Sequence, residues 1–303
     1  MNPQENGDLT FRSGYVAIVG RPNVGKSTLM NRILGEKLAI VTHKPQTTRN
    51  RILGVKTSEN AQILFLDTPG VHAGKTRLND MMVKAALSAL EDADLILFLV
   101  EPRLGLNQDE KILLDKLNEV NTPIYLIINK IDTSSKSRLL PLIDRFRQLA
   151  RFREIVPVSG LTGDGVEMLE TMIRDALPEG PPFFPEDVLT DVSQRFMIGE
   201  MIREKIILKT GKEIPHAVAV VVEAVRRREG RNLTDVSAVI YVERDSQKGI
   251  LIGDKGRVLK EIGSRVRPEI EEFLGTRVFL ELWVKVKRDW RSQLRMLREF
   301  GFE

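Results

Sequence analysis

The sequence predicts an α/β protein, a mostly parallel sheet wrapped by helices, followed by a smaller α+β domain. Three observations carry this. Up to Leu177, apolar runs of four to seven residues alternate with helix-length amphipathic stretches, the pattern of parallel strands joined by crossover helices. Residues 177–187, "LPEGPPFFPED", then break every periodicity with four prolines, which fix the backbone and remove donors. Beyond them the elements follow in a different order. The chain therefore divides into a first domain at 1–180, a linker at 181–187 and a second domain at 188–303.

Taken in order, strands are expected at 15–20, 52–57, 61–66, 94–100, 123–129 and 154–158, each a short apolar run. Helices are expected between them at 26–34, 78–91, 107–119, 138–150 and 165–176. The second domain reads as a helix at 191–209, strands at 217–225 and 236–243, and a Gly-x-x-Gly loop from Gly253 to Gly256. A helix at 256–273, a strand at 276–287 and a last helix at 289–299 follow.

Composition narrows the function. Apolar stretches such as "LILFLV" at 95–100 and "AVAVVV" at 217–222 fall far short of the roughly 20 residues that span a bilayer. The start "MNPQENGDLTFR" has neither a basic nor an apolar export region, so the protein is expected in the cytoplasm. The absence of cysteine excludes disulfides and thiolate metal sites, and only His43, His72 and His216 offer imidazole, so no zinc site is expected. These histidines read as structural or solvent-facing. Net charge is +4 with a pI near 9.2, which leaves room for local basic faces that meet nucleic acid.

"GRPNVGKST", Gly20 to Thr28, follows a strand and opens a helix. Across Gly20, Arg21, Pro22, Asn23, Val24, Gly25, Lys26, Ser27 and Thr28 the glycines let backbone N–H groups turn onto phosphate oxygens, Lys26 reaches the outer phosphates and the Ser27 hydroxyl binds Mg²⁺. "NKID" follows a later strand, and there Asn129, Lys130 and Asp132 select guanine, because a carboxylate accepts both N1–H and the exocyclic amine. Helix capping by Asn129 and Asp132 is the plainer alternative, but the phosphate loop about a hundred residues upstream favours the base. "PVSGLTG" at 157–163 supplies Ser159, Gly160 and Leu161 beside the base oxygen, with Gly160 where alanine is usual. "FLDTPG" supplies Asp67, Thr68, Pro69 and Gly70: Asp67 holds Mg²⁺ through water and the Gly70 N–H meets the γ-phosphate. In "HKPQTTRNR", 43–51, either Thr47 or Thr48 adds a metal ligand.

With five motifs between Gly20 and Gly160, the first domain resembles the translation-factor-like GTPases, in their TrmE-Era-EngA-YihA-Septin-like branch. That resemblance implies GTP and GDP as ligands, Mg²⁺ as cofactor, and catalytic roles for Lys26, Asn23, Thr48 and Gly70. Signalling members carry a glutamine after "DTPG" to orient the attacking water. Val71 stands here, so hydrolysis is slow or assisted. In relatives with this change an asparagine matching Asn23 helps bind K⁺; Asn23 either does so or only shapes its own loop.

"ILIGDKGRVLKEI" resembles the signature of a type II KH domain, whose order is helix, strand, strand, helix, Gly-x-x-Gly, helix, strand. Gly253 and Gly256 then permit close approach of an RNA strand, Ile250, Leu251 and Ile252 side the groove, and Lys255, Arg257 and Lys260 contact the backbone, while Asp254 repels it. A GTPase domain followed by one such domain is similar to the Era-like family of bacterial ribosome-assembly GTPases. This implies a monomer that binds single-stranded RNA near the 3′ end of 16S rRNA and the 30S subunit under control of its GTP state, with peripheral association at the inner membrane. A tRNA-modifying GTPase would need a further catalytic domain for which no chain remains. The alternative is a GTP-regulated membrane-surface or cell-division adaptor, using Trp290, Leu294, Leu297 and Phe300 beside Arg291, Arg295 and Arg298. The plainer reading packs those apolar residues on the KH sheet.

Overall fold

The computed structural model of the 303-residue chain describes residues 10–44, 46–70 and 76–302. It forms two compact units, whose described parts are 10–37, 51–70 and 86–191 for the first and 38–44, 46–50, 76–85 and 192–302 for the second.

The first unit is built on strands β1 (Arg12–Gly20), β2 (Ile52–Ser58), β3 (Ala61–Asp67), β4 (Leu95–Val100), β5 (Ile124–Ile128) and β6 (Glu154–Pro157), in the order β2-β3-β1-β4-β5-β6. All pairings are parallel except β2 with β3. Its helices are α1 (Lys26–Leu34), the later part of α2 (Arg77–Glu91), α3 (Gln108–Leu117), α4 (Leu139–Arg147) and α5 (Val166–Ala176). All expected elements appear with ends shifted by at most three residues. Strand β4 is buried at all six positions, as a strand covered on both faces must be. Ala17, Val19, Leu66, Phe98 and Leu126 form one core face with Leu113, Leu117, Leu142 and Phe146 of α3 and α4. Truncating a residue such as Phe98 to alanine costs about 3–5 kcal/mol by the usual cavity penalty.

The proline-rich stretch belongs to this unit. The buried Gln62 accepts from the N–H groups of Phe183 and Phe184 at 2.7 and 2.9 Å and donates to the Phe184 carbonyl. Further on, Val55 N–H donates to the Leu189 carbonyl at 2.8 Å and Thr190 Oγ1 to that of Leu53. The sequence places the junction at 181–187; the compact unit runs on to Asp191 because these hydrogen bonds tie the stretch to β2 and β3.

The second unit contains α6 (Gln194–Lys209), the short α7 (Ile214–Ala217), β7 (Ala219–Arg227), β8 (Leu233–Val242), α8 (Asp245–Ile252), α9 (Arg257–Leu274), β9 (Arg277–Val286) and α10 (Leu294–Glu299). Strands order as β7-β8-β9, antiparallel then parallel. Ile198, Ile202, Ile206, Ile262, Val266 and Ile270 pack on Val236, Ala238 and Ile240. The apolar run before the Gly-x-x-Gly loop is itself helical, as α8. The expected last helix is broken: a 3-10 turn at Trp290–Ser292 is separated from α10 by extended Gln293, because the buried Trp290 indole donates to the Ala217 carbonyl at 2.9 Å. Trp290 and Leu297 are fully buried and Phe300 stacks on Tyr241 at 4.5 Å, so these three are spent on the sheet, whereas Leu294 is exposed.

Residues 38–44 and 46–50 and the start of α2 belong to this unit although the sequence assigns them to the first domain. Arg49 donates to the carbonyls of Val218 and Pro215 at 2.6 and 2.8 Å, Lys44 to those of Ile207 and Thr210, and Arg203 to that of Thr47. His216 Nδ1 shares a hydrogen bond with Gln46, Met82 is in the core and His43 is exposed.

Candidate functional site

In the first unit the loops after β1, β3, β5 and β6 all leave the carboxyl ends of strands, the side on which doubly wound sheets bind ligands. The loop after β1 fits only as glycine at its ends. Gly20 has φ +156°, and a Cβ there would meet the Leu99 carbonyl at 2.7 Å. Gly25 has φ +98°, and a Cβ would collide with Asn129 Nδ2. These constraints leave backbone N–H groups lining a cradle, and α1 starts at Lys26, so its N-terminal partial charge favours an anion in that cradle. Lys26 is buried and donates to the carbonyls of Gly20 and Arg21, both at 3.1 Å. Burial lowers its pKa to about 8, against the opposing pull of Asp67. A buried ammonium without a full counter-charge suits a polyphosphate.

The base loops are joined through Asn129, which is buried. Its Nδ2 donates to the Val24 carbonyl at 2.9 Å and its Oδ1 accepts from Gly160 N–H at 2.9 Å, bridging three loops. Lys130, at φ +62°, donates to the Asn23 carbonyl at 2.6 Å and to Glu101 Oε1 at 2.7 Å. Asp132 is exposed and oriented by Ser159 Oγ at 2.5 Å, which leaves carboxylate lone pairs for two donors on one base edge. A Cβ on Gly160 would meet Leu29 Cα at 3.1 Å, tight packing that accounts for glycine there. Leu161 is exposed and its carbonyl accepts from Arg32.

Ser27 Oγ donates to the buried Asp67 Oδ2 at 2.5 Å. A hydroxyl beside a carboxylate is an oxygen donor pair that fits Mg²⁺, which takes one or two protein ligands and completes its shell with water and phosphate. No cluster of three acidic, histidine or cysteine ligands occurs among the described residues. Thr68 Oγ1 is spent on the Ile18 carbonyl at 2.8 Å and Pro69 is buried. Gly70 lies against the phosphate loop, where a Cβ would meet Pro22 N at 2.7 Å. Thr47 and Thr48 lie in the second unit. Thr47 Oγ1 is engaged with Lys44 O and Thr42 Oγ1, both at 2.6 Å, while Thr48 is buried. Val71 and His72 lie outside the described residues.

In the second unit Gly253 has φ +71°, and a Cβ would meet Val258 Cγ2 at 2.5 Å. Lys255 is left-handed at φ +48°, and Gly256, at φ +80°, has nothing within 4 Å of its Cβ position. Asp254, Lys255, Arg257 and Lys260 are exposed, as is Ile250, whereas Leu251 is in the core and Ile252 packs partly against it. The groove side therefore keeps Ile250 and part of Ile252, and Leu251 is corrected to a core residue.

The sequence profile described as a 50S ribosome-binding GTPase matches residues 15–130, and the KH domain profile matches 213–291. GTPase Era of Syntrophus aciditrophicus is 53% identical over 97% of this chain and 96% of its own, and GTPase Era of Geobacter metallireducens is 52% identical over 97% and 99%. The chain belongs to the Era family of GTPases. A crystal structure of Era with MgGDPNP and nucleotides 1506–1542 of 16S ribosomal RNA matches at TM-score 0.93 and 44% identity, covering 96% of this chain and 99% of that one. A point variant of Aquifex aeolicus Era bound to GDP and AlF4⁻ matches with the same figures.

Within this Era-family site two contributions are invisible to motif reading. Asn129 is a strut, a role that appears only when residues 24, 129 and 160 are seen together. Glu101 directly follows β4 and binds Lys130, with Arg21 at 3.8 Å and Arg103 at 3.9 Å. Burial pushes its carboxyl up, but the Lys130 hydrogen bond and the surrounding cations outweigh that and hold it below the ordinary range. An acidic residue directly after the all-apolar "LILFLV" was the available signal.

Proposed function

We propose that this protein holds single-stranded RNA at the 3′ end of 16S rRNA, acts in maturation of the 30S subunit in the cytoplasm, and has that binding set by its nucleotide state. The observation that carries the reading is one chain bearing both a buried-lysine phosphate cradle and an open Gly-x-x-Gly loop flanked by exposed Lys255, Arg257 and Lys260. The Era complex with MgGDPNP and 16S rRNA supports the same pairing.

GTP is held by the loop from Gly20 to Thr28, its guanine by Asp132 with Lys130 and the loop at Ser159. Mg²⁺ supplies charge neutralisation between phosphates, and Ser27 and Asp67 would hold it. Thr47 and Thr48 remain the two alternatives for an additional ligand. Lys26 and the loop N–H groups stabilise charge that builds on the phosphate oxygens as water bonds to the γ-phosphorus and the bond from that phosphorus to the GDP oxygen breaks, giving GDP and phosphate. Asn23 either shapes its own loop or would help hold a K⁺ ion, which would supply positive charge where Val71 offers no polar side chain. The GTPase role is assigned to the first compact unit, which runs on to Asp191, and the RNA-binding role to the second, from Val192 onward.

Filter retention of a single-stranded 3′-end rRNA fragment and of its duplex, with GDPNP or GDP, tests the reading. Preferential retention of the single strand and a nucleotide-dependent difference are expected. Equal retention of both forms in both nucleotide states, with binding to anionic vesicles instead, would favour the membrane adaptor. No described helix is long and apolar enough to cross a membrane.

A further inference from the structure

The hairpin joining β7 and β8 carries a second concentration of positive charge, used neither by the nucleotide site nor by the Gly-x-x-Gly loop. Residues 226–231 read "RRREGR", four arginines and one glutamate in six positions. Arg277, the first residue of β9, pairs in register with Leu233 at the base of this tip and adds a fifth guanidinium. All five are exposed. Asp235 engages one of them: Arg228 contacts it through Nε and Nη2 at 2.7 to 3.0 Å and lies over the Phe279 ring at 5.7 Å. Arg226, Arg227, Arg231 and Arg277 are in no ion pair among the described residues.

A hairpin tip covers no core, so packing gives no reason for this run, and like charges side by side repel. A polyanion removes that repulsion. Phe279, half exposed on the same sheet face as Asp235, adds an aromatic surface of the kind on which bases stack. The tip is also remote from the Gly-x-x-Gly loop. Helix α9 starts at that loop and ends just before Arg277, and its 18 residues measure roughly 27 Å.

We propose that the β7–β8 hairpin is a second RNA-backbone contact, engaged by RNA that continues beyond the roughly four nucleotides a KH groove clamps. This rests on the RNA-binding reading above. Each phosphate contact in a single strand contributes about 0.7 to the slope of log affinity against log salt, so three arginines account for a slope near 2.

The test is the triple variant Arg226→Gln, Arg227→Gln, Arg231→Gln, which leaves the Arg228–Asp235 pair in place. Affinity is measured across a KCl series for a five-nucleotide and a thirty-nucleotide single-stranded RNA, with GTP titration as the folding control. The long RNA should lose about 2 from its salt slope and about tenfold or more in affinity at low salt, while the short RNA and GTP bind as in wild type. Unchanged binding of the long RNA, or equal losses for both lengths, overturns the proposal. Wild type that holds neither RNA overturns the underlying reading as well. Weakened binding to 30S subunits with unchanged naked long RNA would assign the hairpin to a ribosomal protein and equally overturn it.

Discussion

The two glycine loops differ in what makes glycine necessary. In the phosphate loop both Gly20 and Gly25 face atoms that leave no room for a Cβ, and the lysine between loop and helix is buried with its pKa down at about 8. In the Gly-x-x-Gly loop, Gly253 is confined by Val258, but Gly256 borders open space and the neighbouring cations are all exposed. A closed cradle with a desolvated charge binds tightly, selectively and with a pH limit. An open loop binds through screened charges, which makes it weaker and salt-dependent.

The comparison breaks most severely at Asn129. Replacing it by alanine strands the buried Val24 carbonyl and Gly160 N–H, at about 1–3 kcal/mol each. GTP and GDP affinity should both fall about a hundredfold in fluorescent-nucleotide titration. A loss below about fivefold would show that the three loops keep their places without the strut. Asp132→Asn acts on the base alone. With one hydrogen-bond pattern to a charged group lost, at about 1.5–3 kcal/mol, GTP should weaken by about tenfold or more while XTP gains. A mutant within about threefold of wild type for GTP would remove Asp132 from the base pocket.

The pH limit gives the smaller effect. Phosphate binds the ammonium form of Lys26, whose pKa in the free protein is lowered by burial to about 8. GDP affinity should therefore be flat below about pH 8 and fall above it, approaching tenfold per unit. The sign for stability is opposite. Between about 8 and the ordinary 10.5 the unfolded chain keeps this proton and the folded chain has lost it, so the lysine's contribution to folding improves as pH rises. Affinity that stays level from pH 7 to 9.5 would mean that Lys26 is charged throughout.

Much of this was legible in the sequence because strands buried on both faces leave continuous apolar runs, and phosphate loops have fixed spacing. "LILFLV" and "GRPNVGKST" needed no tertiary information. What escaped depends on contacts between distant positions. Proline punctuation marked residues 177–187 but could not show that Gln62 ties them to the first unit. Periodicity ran one helix through 289–299 because the bond from Trp290 to Ala217, which breaks it, spans 73 residues. Leu251 looked like groove because Ile250, Leu251 and Ile252 are alike in chemistry and differ only in which way α8 turns them.

The decisive measurement concerns the open loop. Gly256→Asp places a carboxylate in free space at a left-handed position that aspartate tolerates better than most residues, whereas any side chain at Gly253 strikes Val258. RNA retention and GTP titration are compared in wild type and in this single variant. RNA affinity should drop by about tenfold or more, with a shallower salt slope, while GTP affinity stays within about twofold. A variant that folds, binds GTP and holds the 3′-end fragment with wild-type affinity would contradict the assignment, and Gly253 to Gly256 would be only a turn between two helices.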